Sequence, residues 1–238
     1  MKLDLLAFGA HPDDVELSCA GTIIKHVALG KKAGIVDLTR GELGTRGTPE
    51  IRDAEAAAAT KVMGVHAREN LEMRDGFFKN DEEHQLKVIM MIRKYQPEII
   101  LANATEDRHP DHGRGAALVD EAWFLSGLKK IETRVDGKSQ EPWRSKVIYN
   151  YVQDRWLDPD VLIDISGHWE KRMEAIMCFR SQFYDANSKE PETYISTPEF
   201  LESLKSRAHT LGRMIGVMYA ESFTTTRKTG VDHFLLLK

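Results

Sequence analysis

The stretch LDLLAFGAHPDD, at residues 3–14, joins an apolar run of strand length to a polar turn. The run over residues 3–10 predicts a buried strand. After it, Leu17, Ala20, Ile24 and Val27 recur at helical spacing, so we expect a helix over residues 13–29 that ends at Gly30. A strand followed directly by a helix is the repeating unit of α/β sheets, so this stretch decides the expected fold class.

The same alternation continues along the chain. Strands are predicted at residues 33–38, 69–73, 98–102, 146–152, 161–165 and 231–237, and helices at residues 49–63, 82–95, 112–125, 167–179 and 198–219. Such alternation indicates a mainly parallel sheet covered by helices on both faces. Because no repeat or linker divides the sequence, we predict one domain over residues 1–238, a three-layer α/β fold of Rossmann-like character.

Composition excludes several classes of protein. The 238 residues carry a formal net charge of -4 without a block of like charges, which argues against a nucleic-acid binder. The two cysteines, Cys19 and Cys178, form neither a disulfide framework nor a C-x-x-C motif. No apolar stretch has the length of a membrane span, and the first residues do not read as a signal peptide. We therefore expect a cytoplasmic protein with no membrane partner.

Two similar tetrapeptides carry the strongest functional signal. His11-Pro12-Asp13-Asp14 and His109-Pro110-Asp111-His112 each come between a predicted strand and the helix after it, where ligands bind in open α/β sheets. His11 and Asp14 are one helical turn apart, and His112 adds a third ligand. Two histidines and a carboxylate with an open position are typical of catalytic Zn²⁺, but they also suit Fe²⁺ or another divalent metal.

The remaining residues of the tetrapeptides then have chemical roles to fill. A zinc ion lowers the pKa of a water molecule that it binds to about 7, and Asp13 is the candidate base for its proton. His109 would stabilise an oxyanion as an imidazolium and protonate the leaving group. Asp111 would orient that ring and raise its pKa. One such tetrapeptide alone would equally fit a plain helix start, but two copies favour a metal site.

Three further residues are candidates for substrate binding. Glu42 lies in the glycine-rich loop over residues 40–47, Arg52 in the first turn of a helix and Asp75 in a turn after a short strand. Each also fits an ordinary role as a loop, helix or turn residue. A nucleotide-binding site is disfavoured, because the first strand–helix turn lacks G-x-G-x-x-G and its two carboxylates would repel a pyrophosphate.

These motifs resemble those of the LmbE/PIG-L family of zinc-dependent N-acetylglucosaminyl deacetylases. The resemblance is carried by the two tetrapeptides, the Gly-Glu-x-Gly loop at residues 41–44 and Arg52-x-x-Glu55. Residues 103–113 and Tyr-Ala-Glu-Ser-Phe at residues 219–223 are similar to the branch that deacetylates N-acetylglucosaminyl malate in bacillithiol biosynthesis.

The resemblance implies Zn²⁺ on His11, Asp14 and His112, sugar contacts from Arg52 and Asp75, and a homo-oligomer such as the hexamers of some relatives. Related mycothiol-pathway enzymes have a tyrosine where this chain has Asp107, and either Tyr184 or Tyr194 is left to replace it. Arg108, next to His109, is a candidate to bind the malate carboxylate bidentately. The alternatives are an amidohydrolase for another N-acylated sugar conjugate and a non-catalytic metal-binding protein.

Overall fold

The structure, a computed structural model, describes residues 1–233 and residue 235. Within that range the strands are β1 (Leu5–Gly9), β2 (Ala33–Thr39), β3 (Ala67–Met73), β4 (Ile99–Ala102), β5 (Arg134–Val135), β6 (Lys138–Ser139), β7 (Val147–Tyr151), β8 (Val161–Asp164) and β9 (Ala220–Thr224). The helices are α1 (Asp14–Ala28), α2 (Pro49–Met63), α3 (Glu82–Tyr95), α4 (Pro110–Ser126), α5 (Trp169–Ile176) and α6 (Pro198–Met214).

Seven of these strands form one sheet in the order β3-β2-β1-β4-β7-β9-β8. The neighbours from β3 to β7 are parallel, and only β9 runs antiparallel to the described strands beside it. The predicted α/β class and mainly parallel sheet are therefore confirmed. None of the described helices is long and apolar enough to cross a membrane.

The strand β9 is the main departure from the predicted elements. The predicted helix over residues 198–219 ends at Met214, and a strand follows it at Ala220–Thr224. The sequence of this strand is short and polar, so it does not show the apolar pattern of a buried strand. Its charged residue Glu221 can be buried because it is paired with Arg172. Of the strand predicted over residues 231–237, residues 231–233 and 235 are described and are not part of a strand, and the others lie outside the described residues.

Helices cover both faces of the sheet because successive strand side chains point to opposite sides. In β1, Leu6 and Phe8 pack in the cluster that contains α3 and α4 side chains. Leu5 and Ala7 belong to the cluster with α1, α2 and α5. The three-layer arrangement predicted from the alternation is thus present.

The sheet order also creates a crevice at one edge of the sheet. From β1 the chain moves outward to β2 and β3, then returns to β4 on the other side of β1. The loops after β1 and β4 consequently diverge at the carboxyl edge of the sheet, which is the position where open α/β sheets bind ligands. The first His-Pro-Asp tetrapeptide leads from the loop after β1 into α1, and the second leads from the loop after β4 into α4.

Candidate metal and catalytic site

Local backbone geometry turns both tetrapeptides toward the crevice. Asp13 has φ 116° and ψ -25°, a left-handed conformation that strains a residue with a side chain. Pro110 is the first residue of α4, where a missing N–H costs nothing. His109 caps that helix, and its Nδ1 accepts the backbone N–H of Asp111 at 3.2 Å.

The three predicted metal ligands lie together. Asp14 Oδ1 is 3.1 Å from His112 Nε2, and Asp14 Oδ2 is 3.6 Å from His11 Nδ1. All three residues are buried. The ligating atoms of His11, His109 and His112 also lie within 4.8 Å of one another. His109 is therefore close enough to act at the same centre.

A carboxylate lies beside the outer nitrogen of each of the two histidines that are predicted as ligands. His11 Nε2 lies 3.0 Å from Asp75 Oδ1, and His112 Nδ1 lies 2.5 Å from Asp107 Oδ2. With protons on these outer nitrogens, the lone pairs of His11 Nδ1 and His112 Nε2 face Asp14. This carboxylate–histidine arrangement is typical of metal sites, so the donor set fits a divalent cation.

Carboxylates around His112 stabilise a positive charge on its ring. Burial alone would favour the neutral ring, but Asp14 and Asp107 raise the pKa of His112 to about 9. Burial alone would also favour the protonated Asp14, but the two histidines lower its pKa well below the ordinary value. A cation that replaced these protons would find the same favourable field.

Asp13 has the properties of a base that works near neutral pH. Burial raises its pKa to about 7, and the guanidinium of Arg52 opposes part of that rise. Arg52 NH2 donates to Asp13 Oδ2 at 3.0 Å and to the carbonyl of Pro12 at 2.6 Å. Asp13 is thus fixed in position beside the ligand cluster.

The predicted pairing of Asp111 with His109 is wrong. One carboxylate oxygen of Asp111 binds Arg114, and the other accepts the N–H of Gly76 at 2.8 Å and lies 3.4 Å from His11 Nε2. Asp111 therefore orients His11. Burial together with His11 and His112 lowers the pKa of His109, which favours a neutral ring over the predicted imidazolium.

Arg52 and Asp75, the two predicted sugar contacts, are buried and support the site through hydrogen bonds. Arg52 is only 4% exposed, and besides Asp13 it binds the carbonyl of Gly41 at 3.3 Å. Asp75 is 6% exposed and accepts the N–H of Leu43 at 3.0 Å as well as binding His11. Glu42 Oε1 accepts the N–H of Asp75 at 2.7 Å and so fixes the turn that carries it.

A cavity of about 220 Å³ opens beside His112 and Asp14. Arg108, Arg207 and Tyr194 line it, together with apolar side chains that include Leu17 and Leu204. Arg108 lies over the Tyr194 ring at 4.4 Å and 3.6 Å from Asp154 Oδ2. Tyr194 donates to Asp154 at 3.0 Å. Tyr184 is exposed and, within the described chain, does not belong to this lining.

Sequence reasoning missed several residues that the fold brings to the site. Asn103 and Gln153 both bind Asp14, and Arg207 reaches the cavity from α6. Asn103 follows β4 directly, so its position after a central strand was an available signal. Gln153 and Arg207 carried no such signal in the sequence, because the position of β7 in the sheet and the packing of α6 are properties of the tertiary fold.

Comparison with known proteins places the chain in a family. The conserved protein TT1542 of Thermus thermophilus is 34% identical, with 98% of each chain covered and a TM-score of 0.87. The family PIG-L, described as GlcNAc-PI de-N-acetylase, matches residues 6–123, which contain both tetrapeptides. The chain belongs to the PIG-L family.

Other relatives of this PIG-L chain carry different names. The N,N'-diacetylchitobiose deacetylase of Pyrococcus horikoshii is 26% identical, covering 92% of this chain and 82% of that one, with a TM-score of 0.76. A 4-oxalmesaconate hydratase of Pseudomonas putida is 25% identical over 74% of this chain and 73% of its own length. A probable N-acetyl-alpha-D-glucosaminyl L-malate deacetylase 2 of Bacillus anthracis is 24% identical over 73% and 78%.

Proposed function

We propose that the protein is a metal-dependent hydrolase that removes the N-acetyl group from an N-acetylglucosaminide. One observation carries this proposal: ring nitrogens of the buried His11 and His112 lie 3.6 and 3.1 Å from the oxygens of Asp14, beside a buried Asp13 with a pKa of about 7. Such a donor set and such a base are the parts that amide hydrolysis by water requires. The family match and the similarity to sugar deacetylases support the same chemistry.

In this proposal His11, Asp14 and His112 hold Zn²⁺ or another divalent ion such as Fe²⁺. When bound, the ion supplies Lewis acidity to the acetamide carbonyl and lowers the pKa of water. Asp13 takes the proton of the attacking water, and Arg52 keeps its carboxylate in place. The acetamide C–N bond breaks, the acyl carbon gains the water oxygen, and acetate and an amine leave.

Asp13 then returns the proton that it took from water to the leaving amine, and His109 serves as the hydrogen-bond donor to the developing oxyanion. Because its Nδ1 accepts a backbone N–H, the proton of the neutral ring is on Nε2. A lowered pKa keeps this ring neutral, so it donates as an imidazole rather than as an imidazolium. Asp111 acts one step removed, by orienting His11.

The finer proposal is that the substrate is N-acetylglucosaminyl malate, the deacetylation substrate of bacillithiol biosynthesis. The relative from Bacillus anthracis supports it, as does the cavity beside the ligands. Arg207 donates to the backbone carbonyl of Asp154 and, like Arg108, lines that cavity. Two guanidinium groups there provide the bidentate donors that a dicarboxylate needs. A homo-oligomer is part of the same proposal.

Acetate release tests the reaction class. The metal-loaded protein should release acetate from N-acetylglucosaminides, and a chelator should stop it. Asp13→Asn should retain bound zinc but lower kcat by roughly 10²- to 10⁴-fold, the usual contribution of a general base. Asp53→Asn is the matched control, because Asp53 pairs with Arg40 at the surface. Full turnover by Asp13→Asn would refute the assigned base.

The aglycone is tested by comparing two substrates. Arg108→Ala and Arg207→Ala should each raise KM for N-acetylglucosaminyl malate at least roughly tenfold, because each removes a charged hydrogen bond to carboxylate. KM for free N-acetylglucosamine should change little. Equal effects on the two substrates would count against binding of malate at this end of the cavity.

Hydration is the second candidate reaction, favoured by the similarity to the Pseudomonas putida hydratase. The same ligands and base suit addition of water to an alkene that bears carboxylates, and the arginine-lined cavity suits such a substrate. Incubation with 4-oxalmesaconate distinguishes the two. Loss of its absorbance without acetate release from any acetylated sugar would favour the hydratase.

A further inference from the structure

The side-chain amide of Gln153 has a defined orientation. Its Oε1 lies 3.0 Å from Asn103 Nδ2 and 3.0 Å from the backbone N–H of Ala104. Both neighbours are donors, so the oxygen must face them and the NH₂ group must face the other way. That NH₂ group lies 3.2 Å from Asp14 Oδ1 and 3.5 Å from His112 Nε2.

The two oxygens of Asp14 consequently have different surroundings. Oδ2 accepts the backbone N–H of His11 and the amide of Asn103, each at 3.0 Å. Oδ1 accepts the amide of Gln153 and faces His112 Nε2 at 3.1 Å. Each oxygen thus lies beside one histidine, Oδ2 at 3.6 Å from His11 Nδ1, but Oδ1 has the amide of Gln153 as its other donor, whereas Oδ2 has two.

We propose that Gln153, itself oriented by Asn103, is a positioning residue that fixes the Asp14 carboxylate beside His112 and thereby sets the metal affinity of the site. The inference rests on the metal site of the proposed function. Gln153 is 8% exposed and lines the cavity, so its amide reaches the ligands from the cavity side. Partners of this kind orient the carboxylates that bind metals.

The test measures zinc affinity of the metal-free protein by chelator competition. Gln153→Met keeps the length of the side chain but removes the amide, and it should weaken zinc binding by roughly 10- to 100-fold. Saturating zinc should then restore most of kcat, which a collapsed site would not allow. Gln153→Asn is the second variant, for use if the Met variant does not fold. It keeps an amide but moves the NH₂ group away from Asp14, so it should weaken zinc binding in the same way.

Asn150→Ala is the matched control. Asn150 Nδ2 donates to the backbone carbonyl of Asn103 at 2.8 Å, next to the same network but away from Asp14. Its zinc affinity should equal that of the unaltered protein. Asn103→Leu should weaken zinc binding, and the double variant with Gln153→Met should lose less than the sum of the two, because both act on Asp14.

The outcomes separate the two levels of the proposal. If the unaltered protein fails to bind zinc, the proposed metal site is wrong. If it binds zinc and folded Gln153→Met binds equally tightly, the metal site stands and the role given to Gln153 is wrong. Neither measurement requires a substrate, so an incorrect choice of substrate affects neither.

Discussion

Gly41 occupies a position where only glycine fits, for two separate reasons. Its φ is +64°, in the left-handed region that a Cβ disfavours. A Cβ added there would also overlap the guanidinium of Arg52, with Cζ at 2.5 Å. Because Arg52 holds Asp13, the packing of one loop glycine determines the position of the candidate base.

Gly41→Ala should therefore lower kcat by roughly tenfold to a hundredfold, the effect of a displacement of about 1 Å in a reacting group. Zinc content should stay the same, since Arg52 contacts none of the ligand atoms of His11, Asp14 or His112 in the described structure. Acetate-release kinetics with metal analysis would check both statements.

Gly30→Ala provides the comparison, because Gly30 has φ +78° but an added Cβ would meet nothing within 4 Å. It should lose about 1 kcal/mol of folding stability from backbone strain and keep its kcat. An unchanged kcat in both variants would mean that Arg52 does not position the base.

At the residue scale the sequence predicts which side chains form the candidate site better than it predicts which hydrogen-bond partners they have. The proximity of His11, Asp14 and His112 was predictable, because helical spacing and strand order bring them together. The hydrogen-bond partners of these residues were not predictable. Asp111 was assigned to His109 through sequence proximity, but the helix start directs its carboxylate to His11. Asp75, which is predicted as a sugar contact, also binds the His11 ring, and this contact depends on loop packing.

The helix α1 is interrupted at Cys19, whose φ of -145° is not helical. The break exposes backbone groups, and one buried ion pair satisfies them from both sides. Glu221 accepts the N–H groups of Gly21 at 2.9 Å and Thr22 at 2.7 Å. Arg172 donates to the carbonyl of Leu17 at 2.5 Å and to Glu221 at 2.9 Å. The helix that begins at Asp14 thus depends on β9 and α5.

Glu221→Gln should destabilise the protein by about 3 to 5 kcal/mol, because it leaves Arg172 buried without its counter-charge. Urea unfolding followed by circular dichroism measures this loss. Glu98→Gln is the comparison, since Glu98 pairs with Lys2 and Lys146 in contact with solvent and should leave the unfolding midpoint unchanged. Equal midpoints for both variants would show that the break in α1 does not need this charge.

Elements with clear periodicity were predicted closely, and those that depend on tertiary pairing were not. The helix predicted over residues 49–63 is α2, because proline, alanine-rich periodicity and a final glycine mark it locally. By contrast, β9 takes its place through hydrogen bonds to β7 and β8. The break in α1 was equally hidden, since its compensating charges lie on distant elements.

The candidate metal site joins distant parts of the chain, which gives metal binding an effect on the whole molecule. His11 and Asp14 follow β1, His112 follows β4, and Gln153 follows β7. An ion that binds only the folded arrangement stabilises it by RT ln(1 + [L]/Kd), about 2.7 kcal/mol at a hundredfold excess over Kd.

Zinc at that excess should raise the Tm by roughly 5 to 10 °C for a chain of this length. Differential scanning fluorimetry with and without chelator measures the shift. Asp14→Asn, which weakens one ligand, should show a much smaller shift. An equal rise in Asp14→Asn would locate the stabilising ion elsewhere.

The place of β9 between β7 and β8 determines the order in which the sheet can be completed. During synthesis β8 emerges long before β9, yet in the finished sheet its described strand neighbour is β9. The five parallel strands from β3 to β7 can pair on the ribosome, whereas β8 must wait for nearly the entire chain. Glu221 arrives with β9, so the N–H groups at the break in α1 gain their buried acceptor at that same late stage. We therefore expect nascent chains that stop before Ala220 to lack the carboxylate that supports the break in α1, the helix that begins at Asp14.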